Sequence, residues 1–432
     1  MKKLKGCLLF LCISVLLLSK GNTYDRSLAM TAEPVSAVYS DESEKTSGEI
    51  VDEINEPADT GLDDIPGSND NGITTTGTMS GVNDKNTGNT ENSENTIDEP
   101  QPKRLKIVAV GDIMLGRGVG SRIEAQGKTY ESAFEQVAEV VNCGDIVFAN
   151  LETPITDRTH SLDPKGKIIL KASSASFPGI LTLGINIVNL ANNHIMDYYS
   201  EGLMDTIALL DENNIFHVGA GNNLEEARKP AIIEKNGIKV GIIGYSDMAH
   251  YYFSGNPTIK FSAEENEAGV APLVEDYIME DIQKLRPEVD LLLVSLHWGV
   301  EESFYIPPEQ RDLAHRIIDA GADAILGHHP HQFQGIELYN GKPVIYSMGN
   351  FIFDQNDPEN QETFIINLEY MDNKLERFYI VPVHTVEKVR VEFQKGEQAV
   401  LILERQKTLN LELDTESVID GDILVFPQVN AQ

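Results

Sequence analysis

Cysteine is scarce, with three residues in 432 and two of them, Cys7 and Cys12, close to the N-terminus. Cys143 is the only other thiol. That excludes an internal disulfide framework in the folded part and a multi-thiolate metal site, and leaves the fold to be held by its apolar core. Basic residues are also few: 34 Lys and Arg stand against 68 Asp and Glu, for a net charge of −34. So negative a chain repels phosphate backbones and anionic lipid, and general nucleic-acid binding is excluded. Aromatics make up 7% with one tryptophan, Trp298, so no aromatic platform of the kind a carbohydrate-binding module presents is visible. The apolar stretch Cys7–Leu18, interrupted by Ser14, is shorter than the about 20 residues a membrane-spanning helix requires.

What is present divides the chain into regions with different physics. Lys2, Lys3 and Lys5 precede that apolar stretch, and Ser19 and Gly21 place small residues before Asn22. Residues 1–21 therefore read as a signal peptide or, if uncleaved, a signal anchor. This predicts an exported protein, on the extracellular face of a bacterial membrane or in the wall, or secreted. Residues 22–103 contain no Phe or Trp, two tyrosines, and runs such as DNGITTTGTMSGVNDKNTGNTENSEN. Too little apolar surface is available to offset ordering entropy, so a disordered acidic linker is expected.

From Arg104 the pattern alternates. Strands are expected at 106–112, 145–152, 186–193, 239–247, 290–299, 322–329 and 343–351, with helices at 130–141, 173–183, 200–213, 275–286 and 308–320. Such alternation argues for an α/β domain over 104–385. Residues 386–432 read as a β-rich extension, with QAVLILER as one of its strands.

Each expected strand ends in polar side chains: Asp112; Asn150 and Glu152; Asn192, Asn193 and His194; Asp247; His297; His328, His329 and His331; Asn350. Ligands in open α/β sheets bind outside the carboxyl ends of strands, so these stretches are expected to meet at one rim of one sheet. Imidazole together with carboxylate and amide oxygen suits one or two divalent ions, Mn, Zn or Fe. In an extended segment His329 and His331 would share a face, leaving His328 to make a supporting hydrogen bond or face outward. Arg117 is a candidate for contacting an anionic substrate oxygen or forming an ion pair, Asp197 for orienting His194, and Asn350 and Asp247 for lining the pocket.

The motifs GDIMLGR, NLETPIT, LANNHIMD, SLHWGVE, GHHPHQFQGIE and YSMGNFIFDQ, in that order over residues 111–355, resemble those of the poly-gamma-glutamate capsule biosynthesis protein CapA family. The resemblance implies a metallophosphoesterase-like four-layer α/β/β/α sandwich with two mixed sheets and a two-metal site. By position it implies that Asp112, Glu152 (or Asn150) and His331 hold a first metal. Glu152, Asn193, His297 and His329 would hold a second, and His194 would be the general acid or a phosphate-contacting histidine. Met114 stands where active phosphoesterases place a histidine. The resemblance also implies a membrane-bound polymer synthase or export complex as partner, and an anionic polymer or its precursor as the species bound through metal. Three functions fit these residues: a metal-dependent hydrolase or transferase, a non-catalytic assembly module on the same fold, and a plain binding module.

Overall fold

In the computed structural model, residues 101–162, 168–250 and 260–427 are described. The signal and nearly all of the linker expected at residues 1–103 lie outside them. Lys103, assigned to the linker's end, already belongs to the fold: its N–H donates to Asp372 Oδ1 at 2.9 Å and its ammonium to the Gly237 carbonyl at 2.6 Å.

Two mixed sheets carry the domain. The first runs, in spatial order, Val418–Asp420, Ile423–Phe426, Lys374–Val386, Glu362–Met371, Arg104–Ile113, Ile146–Leu151, Ile187–Asn189 and Phe216–Val218, with Asn350–Ile352 pairing beside Arg104–Ile113 and Arg390–Phe393 beside Lys374–Val386. The second runs Ile336–Tyr339, Lys342–Ile345, Ala324–His328, Leu291–His297, Ile238–Ser246 and Ala231–Lys235.

Strand periodicity explains why the sheets face each other, because successive side chains point to opposite faces. Ile107, Ala109, Ile146, Phe148 and Ile187 of the first sheet pack against Val240, Ile242, Leu291, Leu293, Ala324 and Leu326 of the second. Their neighbours Val108, Val110, Val147 and Val188 point the other way, onto Val119 and Ile123 of helix Arg117–Ala125 and Leu203 and Leu210 of helix Tyr199–Glu212. Behind the second sheet, Leu292, Val294 and Ile325 meet Ile278 and Ile282 of helix Glu275–Leu285 and Ile317 of helix Pro308–Ala320. The result is the four-layer α/β/β/α sandwich that the resemblance implied. Among the described residues no helix is long and apolar enough to cross a membrane.

Three expectations need correction. The run 343–351 is not one strand: Lys342–Ile345 belongs to the second sheet and Asn350–Ile352 to the first, so this segment crosses between sheets. The expected helix at 130–141 is broken into a short 3₁₀ turn, Tyr130–Ala133, and one α-turn, Ala138–Val141. Finally, QAVLILER is helical, lying within Gly396–Leu411, which buries Ala399, Ile402, Leu403, Gln406 and Asn410. Those positions follow the helical period of about 3.6, and the contiguous apolar letters hid it because Val400 and Leu401 are left 42% and 64% exposed.

Candidate metal centre

Each inward-facing strand face changes character along its length. Ile146 and Phe148 are followed on that face by Asn150 and Glu152, Ile187 by Asn189, Leu291 and Leu293 by Ser295 and His297, and Ala324 and Leu326 by His328. Because parallel strands end on the same side, the polar ends gather at one edge of the inter-sheet layer. The residues expected on one rim of one sheet therefore converge from two facing sheets.

Asp112 reaches that layer through a register irregularity. The pairing of Arg104–Ile113 shifts between Ala109 and Asp112 on one side and after Asp112 on the other, which re-aims the carboxylate. Two glycines make room for the crossing backbones. A Cβ on Gly111 would lie 1.9 Å from the Gly349 carbonyl oxygen, and one on Gly327 would lie 1.9 Å from that of Tyr346. Each immediately precedes a residue of the cluster, Asp112 or His328.

One group comprises Asp112, Glu152 and His331, all buried, with one candidate ligand atom from each lying within 4.8 Å of the others. Asn150 Nδ2 donates to Asp112 Oδ1 at 2.8 Å and to Glu152 Oε2 at 3.2 Å. The remaining oxygens, Asp112 Oδ2 and Glu152 Oε1, are buried without a partner. Asn350 spends its Nδ2 on Gln355 Oε1 and the Asn360 carbonyl, so its Oδ1, 2.9 Å from His331, accepts the Nδ1–H and leaves Nε2 with the lone pair.

A second group adjoins it through Glu152. His297 Nε2 is 2.9 Å from Asn193 Oδ1, 3.1 Å from His329 Nδ1 and 4.0 Å from Glu152 Oε1. Ligands about 2.0–2.1 Å from a tetrahedral ion lie about 3.3 Å apart, and Asn193 Oδ1 and His329 Nδ1 lie near that range from His297 Nε2, with Glu152 Oε1 farther off. Burial, reinforced by the neighbouring imidazoles, drives the His297 pKa well below its ordinary value, and burial with His331 beside it takes His329 down to about 3. Both imidazoles are thus neutral, the form that ligates. Burial, with the Asp112 carboxylate beside it, pushes Glu152 well above the usual carboxylate range. Asp112 goes the other way: burial opposes its ionisation, but the His328 hydrogen bond and the pull of His328 and His331 outweigh it. Orphaned carboxylate oxygens beside neutral imidazoles are a donor set that a divalent cation fits.

The expectation that an extended segment aligns His329 and His331 is wrong. The strand stops at His328, and His329 and His331 have φ of +99° and +60°. Left-handed backbone is costly for residues other than glycine, and such strain concentrates at functional sites. The two rings meet, 6.4 Å between centroids, through these kinks rather than through strand alternation.

Residues 106–355 match the family described as bacterial capsule synthesis protein PGA_cap. The chain belongs to that capsule synthesis family. It is 33% identical to the PGA biosynthesis protein CapA of Bacillus subtilis over 72% of this chain and 78% of that one. It is 31% identical to the capsule biosynthesis protein CapA of Bacillus anthracis over 66% of this chain and 68% of that one. A 5'-nucleotidase of Candida albicans superposes with a TM-score of 0.38 at 13% identity, covering 73% of this chain and 60% of that one.

The other residues singled out fall as follows. His194 Nδ1 is 2.8 Å from Asp197 Oδ2, and Asp197, whose pKa burial raises, also accepts the Leu170 N–H at 2.6 Å. His328 is wholly buried, its Nδ1 3.1 Å from Asp112 Oδ1. Arg117 forms an ion pair with Asp354, with its Nε 3.1 Å from Oδ2. The carboxylate also accepts the Gly118 N–H. The guanidinium lies 6.0 Å from the Phe353 ring, which packs edge-to-face with His331. Asp247 accepts the Gly299 N–H at 3.2 Å, and burial raises its pKa to about 6. Met114 is packed in the apolar layer under the helices, its sulfur accepting the Gly116 N–H. Sequence reasoning missed Asp354 and Asn189. The first carried a signal, an acid in FIFDQ just after GNF, whereas Asn189 inside an apolar run carried none.

Proposed function

We propose that this chain is an exported, metal-dependent hydrolase or transferase that acts on poly-gamma-glutamate or its precursor during cell-surface polymer synthesis. The observation that carries the reading is the buried donor group Asp112, Glu152 and His331, with Asp112 Oδ2 and Glu152 Oε1 unpartnered, beside which His297 Nε2 contacts Asn193 Oδ1 and His329 Nδ1. Asp112, Glu152 and His331 would hold one ion, and Glu152, Asn193, His297 and His329 a second, of Mn, Zn or Fe. Bound there, such ions supply Lewis-acid polarisation of the scissile group and activation of water.

The rest is done by the chain's own residues. An ionised Asp197 is an acceptor only, so it fixes the proton of His194 on Nδ1. With the ring protonated at both nitrogens, Nε2, on a side chain that keeps 13% exposure, can give its proton to a leaving group, leaving the neutral ring with its Nδ1–H on Asp197. Arg117, aimed by Asp354, offers its remaining N–H groups to an anionic oxygen. Because the protein is strongly negative, an anionic polymer approaches it through these ions and this guanidinium rather than through the general surface. The leader at residues 1–21 supports export, and a membrane-bound synthase or export complex is the partner proposed.

The test is metal analysis of the purified protein followed by incubation with poly-gamma-glutamate. Close to two ions per chain, and cleavage or transfer lost in Asn193→Ala and in His194→Ala, is expected. Absence of bound metal after metal-replete preparation would leave the fold as a non-catalytic scaffold.

A further inference from the structure

The inward face of the second sheet carries one imidazole more than the two ion sites use. His328 follows Ala324 and Leu326 on that face, is wholly buried, and lies opposite His297 in the parallel register. It stands outside the group formed by Asp112, Glu152 and His331. Its Nδ1 approaches Asp112 Oδ1, the oxygen that Asn150 Nδ2 also contacts, while Asp112 Oδ2 is left without a partner. A carboxylate can only accept, so Nδ1 of His328 is the donor. Asn150 is itself set by Asn189, whose Nδ2 donates to Asn150 Oδ1 at 3.0 Å. Donors from both sheets therefore converge on one oxygen of one carboxylate.

We infer that His328 is a positioning residue for a divalent cation: by donating across the inter-sheet gap to Asp112 Oδ1 it fixes the carboxylate so that Oδ2 faces the ion. Partners behind a metal ligand set its orientation, and their loss typically lowers affinity by about 10–100-fold. The role is distinct at this position. With Met114 packed in the apolar layer, the first site has few other ligands to hold Asp112 in place, so its aim depends on the donors behind it.

This inference rests on the metal reading above, and the experiment separates the two. The full chain and its His328→Asn and His328→Leu variants are titrated calorimetrically with Mn²⁺ and with Zn²⁺, and each is melted without metal. Asparagine places its amide nitrogen near the position of imidazole Nδ1, so His328→Asn should bind within a few-fold of the parent, while His328→Leu loses about 10–100-fold. A merely structural role would instead move both variants together and show in the metal-free melts. Binding by His328→Leu as tight as the parent's, or equal loss in both variants, overturns the inference and leaves the metal reading standing. A parent chain that takes up neither ion overturns both.

Discussion

The two ends of the layer between the sheets are built on the same strands and the same faces, and they do opposite things. At one end Ile146, Phe148, Leu291, Leu293 and Leu326 close around each other without a polar atom among their side chains. At the other, a few residues further along, Asn150, Glu152, His297 and His328 are just as buried, and Glu152 Oε1, His297 Nδ1 and His328 Nε2 have no partner. Apolar burial lowers the free energy of the fold, whereas unpaired buried polar groups raise it. The apolar end therefore holds in place a site that is costly on its own, and substitutions at the two ends should have opposite signatures.

The largest effect is expected at the apolar end. Phe148→Ala removes a ring that packs between the sheets and should cost about 3–5 kcal/mol in denaturant unfolding. A loss below about 1 kcal/mol would mean that the layer can close without it. The C-terminal helix sharpens the same point. In a strand, Leu401 and Leu403 would share a face, but in helix Gly396–Leu411 only Leu403 enters the inter-sheet core. Leu403→Ala should cost about 2–4 kcal/mol and Leu401→Ala under about 0.5 kcal/mol. Similar losses at both positions would contradict the helix.

At the polar end the sign reverses. Glu152→Gln removes a carboxylate held beside Asp112, so the metal-free protein should be unchanged or more stable by about 0.5–2 kcal/mol, while metal affinity falls by at least about 100-fold. Loss of metal-free stability in this variant would show that Glu152 supports the fold rather than the site.

How far the sequence reaches follows from the same alternation. Period two says which residues share a face, so the polar strand ends, Asp112, Glu152, His297 and His328, were legible as candidates. It does not say what a face looks at, which is why residues on two facing sheets read as one rim, and why PVIYSMGNF read as a single strand although its Ser347–Gly349 segment carries the chain across. Backbone strain is invisible in letters as well: GHHPH gives no sign that His329 and His331 sit at positive φ. The partners of Arg117 and Asp112 depend on pairings more than 200 residues apart, and the alternative readings of Arg117 and His328 could be resolved only in three dimensions.

An effect confined to a narrow pH window tests the border between the two ends. Asp247 follows strand Ile238–Ser246, its Oδ1 buried without a partner and its Oδ2 accepting the Gly299 N–H. Burial raises its pKa to about 6, against an ordinary value of 3.8, although the Gly299 N–H pulls it down. The folded state thus holds this proton more tightly than the unfolded state does. Stability from this group is full below about pH 4 and is lost as pH rises to about 6, by about 1–3 kcal/mol in all. Asp247→Asn keeps an acceptor for Gly299 and cannot ionise, so its stability should be flatter with pH than the parent's across that window, the two curves meeting at the acidic end. Melting both proteins at intervals from pH 4 to 7 measures the difference. Parallel curves would mean that Asp247 ionises freely in the folded protein, and that the apolar end does not extend as far as the strand's last turn toward Gly299.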